Sequence, residues 1–329
     1  MGKAKYLAGR ILNMHYKQFF NTINEIHKKS GKNRLSLLCD CIYCGFKYQA
    51  GYMDYKNSCI YNLNKEQRED ILTRGVINEY VARYNDKNYT HHFANKEHFN
   101  KTFADYLKRD WVLVKGPEDK DKFLAFCKGK EDFILKPLYG EGGEGVTKLP
   151  ATEESFDSSV NQIPYIAEEK LIQVDEMNSL NSTSINTLRF MTFVKDNKSY
   201  VLAVFLRMGR GGLVDNFCGG GMVTPVDAET GKVSFPACNG DCEAFDVHPI
   251  TGTPIVGFQI PHFEEVKKMV LEAALVVPQV RFVGWDVAIS VNGPCLIEGN
   301  DYPAYFYNFP EHHPDGRGLR HVFEDIMNS

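Results

Sequence analysis

A glycine-rich segment between two short β-like runs is the feature that most restricts how this chain can fold. Residues 132–137 (DFILKP) and 146–149 (VTKL) have the pattern of β-strands. Four glycines lie between them: Gly140, Gly142, Gly143 and Gly145. Glycine amides can approach an anion without a Cβ in the way, and Lys136 on the flanking strand can reach a phosphate oxygen. The segment therefore predicts a β-hairpin able to fold over a phosphate group.

The residues after the glycines exclude two common nucleotide-binding loops. No Gly-Lys-Ser/Thr follows, so the segment is not a Walker A loop, and a strand rather than a helix is expected next, so it is not a Rossmann fingerprint. Taken alone, a run of this kind is also typical of a plain tight turn. A phosphate-binding function therefore depends on what the rest of the chain contains.

A second group of polar residues lies near the C-terminus. Asp286 stands in VGWDVAIS, and Glu298 and Asn300 stand in CLIEGNDYP. Same-face residues of two adjacent strands can bring these side chains to one point. Two carboxylates and an amide oxygen suit Mg²⁺ that bridges nucleotide phosphates, whereas the alternative is ordinary polar residues at strand ends.

The first third of the chain has helical periodicity, and no strand-helix-strand unit is visible there. From Ala8 to about Tyr84 apolar residues recur at steps of three and four, including Ile11, Leu12, His15, Phe19, Ile23 and Ile26. Within it we predict one helix over about 64–84, capped by Asn64 or Asn62, and a further helix follows over 94–107.

The pattern changes to short strands after Trp111, which predicts an α+β or α/β domain. The expected strands are WVLV from Trp111, DFILKP from Asp132, PYIAEE from Pro164, LRFMTFV from Leu188, SYVLAVFLRM from Ser199, VGWDVAIS from Val283 and PCLIE from Pro294. The expected helices between them are 117–128 and 262–277.

Composition and charge exclude several classes of function. With 38 basic and 42 acidic residues the net charge is −4, which disfavours nucleic acid as a partner. No run of about 18 apolar residues predicts a membrane span, and the N-terminus is interpreted as mature protein rather than a signal peptide. Nine cysteines, an odd number, fit the reducing cytoplasm.

Two groups of metal-binding residue types are interpreted as structural. Cys39, Cys41 and Cys44 lack a fourth ligand at zinc spacing, so we expect them to pack on a buried helix. His312 and His313 lie in a proline-rich loop, where ligation is disfavoured.

Taken together and in order, these segments resemble the ATP-grasp superfamily. Within it the chain is similar to the sugar-transfer-associated ATP-grasp proteins, from about Tyr52 to Met327. The resemblance is carried by YNLNKEQREDILTRG, FANKEHFNKTFADYL, KPLYGEGGEGV, a Glu-Glu strand end, SINTLRF, FLRMGRGGLVDNFCGGGM and GWDVAIS…IEGNDYP.

The resemblance implies roles for individual residues. It implies that Lys96 and Lys136 bind ATP phosphates, and that Gly140, Glu141, Gly142, Gly143 and Gly145 form a lid over them. It implies an adenine hinge at Glu168, Glu169 and the Leu171 backbone, with Asp175 near the ribose. Arg189 would stabilise the transferred phosphoryl group, and Asp286, Glu298 and Asn300 would bind Mg²⁺. Without the resemblance most of these residues would be interpreted as solvated charges at strand ends.

The loop FLRMGRGGLVDNFCGGGM supplies a further candidate. Arg207 and Arg210 stand among glycines, followed by Asp215 and Asn216. We expect this loop, and Arg210 in particular, to lie over the acceptor or an acyl phosphate, because a developing anion needs fixed donors. A pair of glycine-rich turns with surface arginines is the alternative.

The sequence therefore predicts an α+β, ATP-grasp fold with a helical N-terminal region in place of the usual Rossmann-like domain. We expect that region over residues 1–95 and the ATP-grasp domain over 96–329, with a lid over about 112–172 and a metal-binding part over about 173–329.

The family implies ATP, Mg²⁺ and the joining of a small-molecule carboxylate to an amine through an acyl phosphate, the substrates being sugar-linked, as in surface polysaccharide synthesis. The alternatives are an ATP-grasp kinase and a non-catalytic nucleotide-binding regulator. A homodimer is left open.

Overall fold

The apolar residues that recur every three or four positions near the start of the chain form helices around a shared core. These helices are α1 (Tyr16–Ser30), α2 (Arg34–Lys47), α3 (Tyr52–Asn57), α4 (Lys65–Glu69) and α5 (Arg74–Tyr84). Phe19, Ile23 and Ile26 of α1 pack with Leu37 and Cys44 of α2. The helical character predicted for this region is confirmed for its described part.

The computed structural model describes residues 15–140, 143–211, 215, 217–304 and 307–329. Ile11 and Leu12 of the predicted N-terminal helix lie outside these residues. The chain forms two compact units, residues 1–83 with 304–329, and residues 84–303. The functional subdivision at residues 95 and 172 stays a prediction.

The single helix predicted over residues 64–84 is wrong, because the chain forms two helices there. Asn64 caps α4 as predicted, accepting a hydrogen bond from Gln67 N at 2.9 Å. The helix ends at Glu69, and Thr73 Oγ1 then accepts from Val76 N at 3.3 Å and so caps α5. Ile71 and Thr73, at the break, are both 1% exposed. The segment between α4 and α5 is thus buried as a non-helical linker, although the sequence pattern predicts a continuous helix.

The helix predicted over residues 94–107 is shorter than expected. It consists of α6 (Lys96–Thr102) followed by a single 3₁₀ turn over Ala104–Tyr106. Other 3₁₀ turns are Ile60–Asn62, Thr90–His92, Pro117–Asp119, Val160–Gln162 and Phe217–Gly219.

A four-stranded antiparallel sheet contains the glycine hairpin. Its strands are β1 (Trp111–Val114), β2 (Asp132–Pro137), β3 (Thr147–Pro150) and β4 (Tyr165–Glu169), in the order β1-β4-β2-β3. Phe123 of α7 (Lys120–Cys127) and Phe156 of α8 (Glu153–Ser159) pack with Phe133 of β2 to form its core. The predicted hairpin is therefore confirmed as β2 and β3, paired from Asp132 with Pro150 to Leu135 with Thr147.

A seven-stranded antiparallel sheet follows, in the order β11-β10-β5-β6-β7-β8-β9. The short helix α9 (Asp175–Leu180) precedes it in the chain. The strands of this seven-stranded sheet are β5 (Thr187–Lys195), β6 (Lys198–Met208), β7 (Met222–Val226), β8 (Ala237–Cys238), β9 (Ala244–Phe245), β10 (Phe282–Ser290) and β11 (Gly293–Asn300). Helix α10 (Phe263–Ala274) precedes β10 in the chain.

The core of the second sheet is aromatic and aliphatic. Phe263 of α10 stacks on Phe190 of β5, with ring centroids 5.9 Å apart, and Trp285 of β10 packs edge-on against Phe103. Since successive residues of a strand point to opposite faces, the residues next to Phe190 and Trp285 belong to the other face of the sheet.

The first unit is completed by α11 (Arg320–Asn328). Among the predicted structural residues, Cys41 and Cys44 are buried in its core as expected, whereas Cys39 is exposed. His312 is buried and packs edge-on against Phe309. Among the described helices, none is both long and apolar enough to cross a membrane.

Two glycine-to-alanine substitutions test the packing. A Cβ at Gly299 would lie 2.9 Å from a Phe99 ring carbon and 3.0 Å from one of Trp285, whereas at Gly45 its nearest contact is 3.5 Å, from Ala50 O. We expect Gly299→Ala to lower the free energy of unfolding by about 1–3 kcal/mol. Gly45→Ala should raise it by about 0.5–1 kcal/mol, because Gly45 lies inside α2. Chemical denaturation of both variants measures this, and destabilisation by Gly45→Ala would contradict the helix packing.

Candidate active site

An aspartate held by two arginines lies on the face of the second sheet opposite its aromatic core. Arg189 of β5, Asp286 of β10 and Glu298 of β11 are direct neighbours across three adjacent strands. Arg189 donates to both oxygens of Asp286, from Nε at 2.5 Å and from Nη2 at 2.8 Å. Burial by itself would raise the pKa of Asp286, but the charges of Arg189 and Arg207 outweigh it and hold the pKa well below its usual range. Asp286 is therefore a fixed anion.

The second arginine links this aspartate to the loop that follows β6. Arg207 donates from Nη1 to Asp286 Oδ2 at 2.9 Å and from Nη2 to Asp215 Oδ1 at 3.3 Å. Asp215 Oδ2 accepts from both the backbone N–H and the hydroxyl of Thr187. Asp286 and Asp215 are buried, and the Arg207 side chain that joins them is only 13% exposed, so this chain of charges is largely shielded from solvent.

Glu298 is the open member of the carboxylate pair. Desolvation by the surrounding protein atoms raises its pKa, and the neighbouring Asp286 carboxylate raises it further, although solvent still reaches the side chain. Asn300, two residues along β11, donates from Nδ2 to Glu298 Oε1 at 3.4 Å. Because Arg207 also pairs with Asp215, three carboxylates face two arginines here, and the net negative charge favours a cation.

A second ion cluster is built on the first sheet. Lys136 of β2 donates to Glu168 Oε2 of β4 at 2.6 Å, and Arg109 donates to the same oxygen from Nε at 2.9 Å. Asn100 of α6 adds a hydrogen bond to Oε1 at 3.1 Å. Burial alone would raise the pKa of Glu168, but Arg109 and Lys136 outweigh it and hold the pKa well below its usual range.

Arg109 joins this cluster to the second sheet. Besides Glu168, its guanidinium donates to the carbonyl oxygens of Leu296 at 2.6 Å and Ile297 at 3.5 Å, both on β11, and to that of Leu107 at 3.1 Å. Glu298 directly follows Ile297. Arg109 thus connects β11, which carries Glu298, to β4, which carries Glu168.

Lys96, at the start of α6, lies between the two clusters. Its Nζ donates to the carbonyl oxygen of Gly140 at 3.3 Å, at the glycine hairpin. Burial lowers its pKa, and Lys136 lowers it further, while Glu298 and Glu168 act in the opposite direction. Lys96 is therefore within electrostatic reach of both the lysine and the carboxylate predicted for the site.

The hairpin needs glycine at its described positions. Gly140, Gly143 and Gly145 have φ values of 133°, 80° and 72°, a region that other residues rarely adopt. A Cβ at Gly145 would also lie 2.7 Å from Pro137 Cγ. Glu141 and Gly142 lie outside the described residues.

Other predicted site residues lie elsewhere along these elements. The backbone N–H of Glu169, at the end of β4, donates to Asp110 O at 2.9 Å, and Leu171 follows two residues later. Asp175 is exposed at the start of α9. Arg210 is exposed, and its guanidinium lies over the Phe245 ring, 5.0 Å from the centroid. It is Arg207, rather than Arg210, that contacts Asp286.

Sequence reasoning did not single out Arg109 or Asn100. Arg109 is one basic residue among several in LKRDW, and nothing local distinguishes it from a surface charge. Arg207 and Asp215 were noticed, but only as parts of a loop.

The residues present fit a bound Mg²⁺ at Glu298 better than at Asp286. A carboxylate has about four lone-pair positions, and arginine N–H groups occupy three of those on Asp286. Glu298 faces solvent, and Asn300 Oδ1 accepts no hydrogen bond among the described residues. Oxygen ligands of this kind are those that Mg²⁺ prefers.

A separate cavity of about 450 Å³ lies in the first unit and involves none of the predicted site residues. Two contacts join residues of its lining, Asp70 to His321 at 2.8 Å and Arg320 to Glu324 at 2.8 Å.

Comparison with known proteins gives a family. The model of the sugar-transfer associated ATP-grasp family matches residues 76–328. No curated protein sequence matches the chain.

Solved structures with a similar fold are ligases by name. The chain is similar to ATP-grasp ligase PsnB complexed with a precursor variant, Mg and ADP, with 16% identity, TM-score 0.43, and coverage of 78% of this chain and 66% of that one. It is also similar to L-amino acid ligase from Bacillus licheniformis, with 10% identity, TM-score 0.43, and coverage of 70% and 46%. The chain therefore spans about two thirds, or less, of the length of these proteins.

The raised pKa of Glu298 predicts a stabilising substitution. Because the folded protein disfavours the ionised carboxylate, its charge destabilises the fold above the ordinary glutamate value of 4.5 and has no effect well below it. We expect Glu298→Gln to raise stability slightly at neutral pH, by less than about 1 kcal/mol since solvent screens the charge, and not in acid. Melting temperatures across pH measure this, with Glu264→Gln, on exposed α10 surface, as control. A less stable Glu298→Gln protein at neutral pH would contradict the charge assignment.

Proposed function

Since the chain belongs to the sugar-transfer-associated ATP-grasp family, we propose that it is an ATP-dependent ligase that joins a carboxylate to an amine. The residue roles in this proposal are those given by the sequence, refined by the contacts around Asp286 and Glu168. ATP is the phosphoryl donor, and Mg²⁺ is the required ion.

The observation that carries this proposal is the row formed by Arg189, Asp286 and Glu298 across three adjacent strands. A transferred phosphoryl group needs cationic donors on its oxygens and an oxygen-only metal site beside it. Arg189 and Glu298 offer these two functions side by side, and Asp286 holds Arg189 in place by two hydrogen bonds.

The proposed reaction has two steps. A carboxylate oxygen of the first substrate attacks the γ-phosphorus of ATP, the bond to the β,γ-bridging oxygen breaks, and an acyl phosphate and ADP result. The amine nitrogen of the second substrate then attacks the acyl carbon, inorganic phosphate leaves with the C–O bonding electrons, and the amine loses a proton to give an amide.

Lys96 and Lys136 have the charge and position to bind the phosphates of ATP. Lys136 is anchored at 2.6 Å on Glu168, which Arg109 and Asn100 hold in turn, so the lysine is oriented before the nucleotide arrives. Lys96 contacts the hairpin at Gly140, and closure of the hairpin would exclude water that could hydrolyse the acyl phosphate.

When bound at Glu298 and Asn300, Mg²⁺ would neutralise phosphate charge and polarise the phosphorus that is attacked. Glu298 must be ionised to bind it, so protons compete with Mg²⁺ for this carboxylate. Asp286, with three of about four lone-pair positions occupied by arginine N–H groups, would be the weaker ligand.

The substrates are proposed from chemistry and from the family description. Arg207 is half-buried and held by Asp215, so it suits the acyl phosphate, whereas exposed Arg210, on the glycine loop, suits a carboxylate or phosphate of the incoming substrate. The family description names sugar transfer, and we propose a uronic acid or amino sugar as one partner, in polysaccharide synthesis in the cytoplasm.

The test is ADP release with Mg·ATP, uronic acids, nucleotide-linked uronic acids and amino acids, in the presence of hydroxylamine. We expect ADP with an equal amount of hydroxamate, since hydroxylamine traps an acyl phosphate. Glu298→Gln should lower the rate by about 100-fold or more, because the cation site loses its charged ligand. Glu264→Gln serves as the matched control and should keep the wild-type rate.

The other outcomes separate the alternatives. ADP with a phosphorylated product and no hydroxamate would replace the ligase by a kinase. ATP binding without ADP in any mixture, and without any effect of Glu298→Gln, would favour a nucleotide-binding regulator.

A further inference from the structure

The outer face of α2 is apolar although it faces solvent. Leu35, Cys39, Ile42 and Phe46 recur at steps of four, three and four residues, the spacing of one helix face. Leu35, Ile42 and Phe46 are 68%, 47% and 48% exposed. The opposite side of the same helix packs Leu37, Cys41 and Cys44 into the core. A helix with apolar residues on two opposite faces normally packs on both, so its exposed apolar face indicates a contact surface.

Helix α1, which shares a core cluster with α2, also exposes aromatic side chains. Tyr16 and Phe20 lie one helical turn apart and are 50% and 51% exposed, while Phe19 and Ile23 are buried against α2. We refer to Tyr16, Phe20, Leu35, Cys39, Ile42 and Phe46 as the α1–α2 outer face. Each of its aromatic or branched side chains is exposed at a cost that a partner surface would remove.

The same two helices carry an excess of positive charge. Residues 16–47 contain six basic residues, Lys17, Lys28, Lys29, Lys32, Arg34 and Lys47, against two acidic ones, while the whole chain has 38 basic and 42 acidic. Both acidic residues are already neutralised, Glu25 by Lys56 at 2.7 Å and Asp40 by Arg68 at 2.7 Å. Lys17, Lys28, Lys29 and Arg34 form no ion pair with the described residues. The region is therefore locally cationic in an acidic protein.

This charge decides between two partners for the face. A second copy of the chain would bring two such cationic regions together, and like charges at an interface are repulsive. An anionic lipid surface complements them, and aromatic and branched side chains on a basic helix are the composition of helices that lie in the membrane interface. The occupant favoured by the observations is thus a membrane.

We propose that the α1–α2 outer face binds peripherally to an anionic lipid membrane. Phe20, Ile42 and Phe46 insert at the level of the head groups, and the basic residues contact lipid phosphates. The chain is held on the membrane surface by this face, independently of the reaction performed in the second unit.

The test is flotation of the full chain with vesicles. We expect binding to vesicles of equimolar phosphatidylcholine and phosphatidylglycerol, weak binding to phosphatidylcholine alone, and release by high salt. The double variant Ile42→Ser, Phe46→Ser should lower the vesicle partition coefficient about tenfold or more. Lys28→Gln, Lys29→Gln should lower it by a similar factor, since each basic residue near the surface contributes on the order of 1 kcal/mol.

Matched controls keep the test specific. Ile250 and Val291, 64% and 61% exposed in the second unit, give the control pair Ile250→Ser, Val291→Ser, which should bind vesicles like the wild type. Circular dichroism and melting temperature of each variant check that folding is unchanged.

Two results would overturn the proposal. Absence of binding to the anionic vesicles would do so directly. Conversion of a dimer to a monomer by Ile42→Ser, Phe46→Ser in ultracentrifugation, without vesicle binding by either form, would assign the face to a second copy of the chain.

Discussion

The candidate site depends on the contacts of one buried guanidinium, that of Arg109. Its five N–H donors face five acceptors, two oxygens of Glu168 and the carbonyls of Leu107, Leu296 and Ile297. Full pairing is what makes a buried charge tolerable, because an unpaired one costs several kcal/mol. The same pairing holds β4, which carries Glu168 and pairs with the strand of Lys136, at a fixed distance from the strand of Glu298. The residues of the two sheets for which we propose phosphate and metal binding are thereby brought to one place.

Charges in the site are balanced within the protein rather than left free. Asp286 is neutralised by Arg189 and Arg207, and Glu168 by Arg109 and Lys136. The exception is Glu298, whose pKa is raised by burial and by the neighbouring Asp286 carboxylate. Such a local cost to stability is common where a protein keeps a ligand position ready. Glu298, whose ionised form the folded protein disfavours, is therefore also the carboxylate best suited to bind a metal ion.

Much of this arrangement was readable from the sequence, because strands and glycine turns have local signals. The hairpin around Lys136 and the neighbouring positions of Asp286 and Glu298 follow from alternation and turn chemistry. The role of Arg109 could not be predicted in this way, because its hydrogen-bond partners on β11 lie almost 190 residues away in the sequence. The break between α4 and α5 was also missed, because it results from burial of Ile71 rather than from a helix-breaking residue. Arg207 rather than Arg210 contacts Asp286 because of the register in which β6 pairs with β5, and the sequence alone does not give that register.

The central claim is that Lys136 and Glu298 bind the same nucleotide, and calorimetric titration of a non-hydrolysable ATP analogue tests it most directly. Wild type should bind more tightly with Mg²⁺ than without. Lys136→Met should weaken binding in both conditions, whereas Glu298→Gln should remove mainly the gain due to Mg²⁺. Binding that is unaffected by either substitution, or a wild type indifferent to Mg²⁺, would contradict a single site shared by the two sheets.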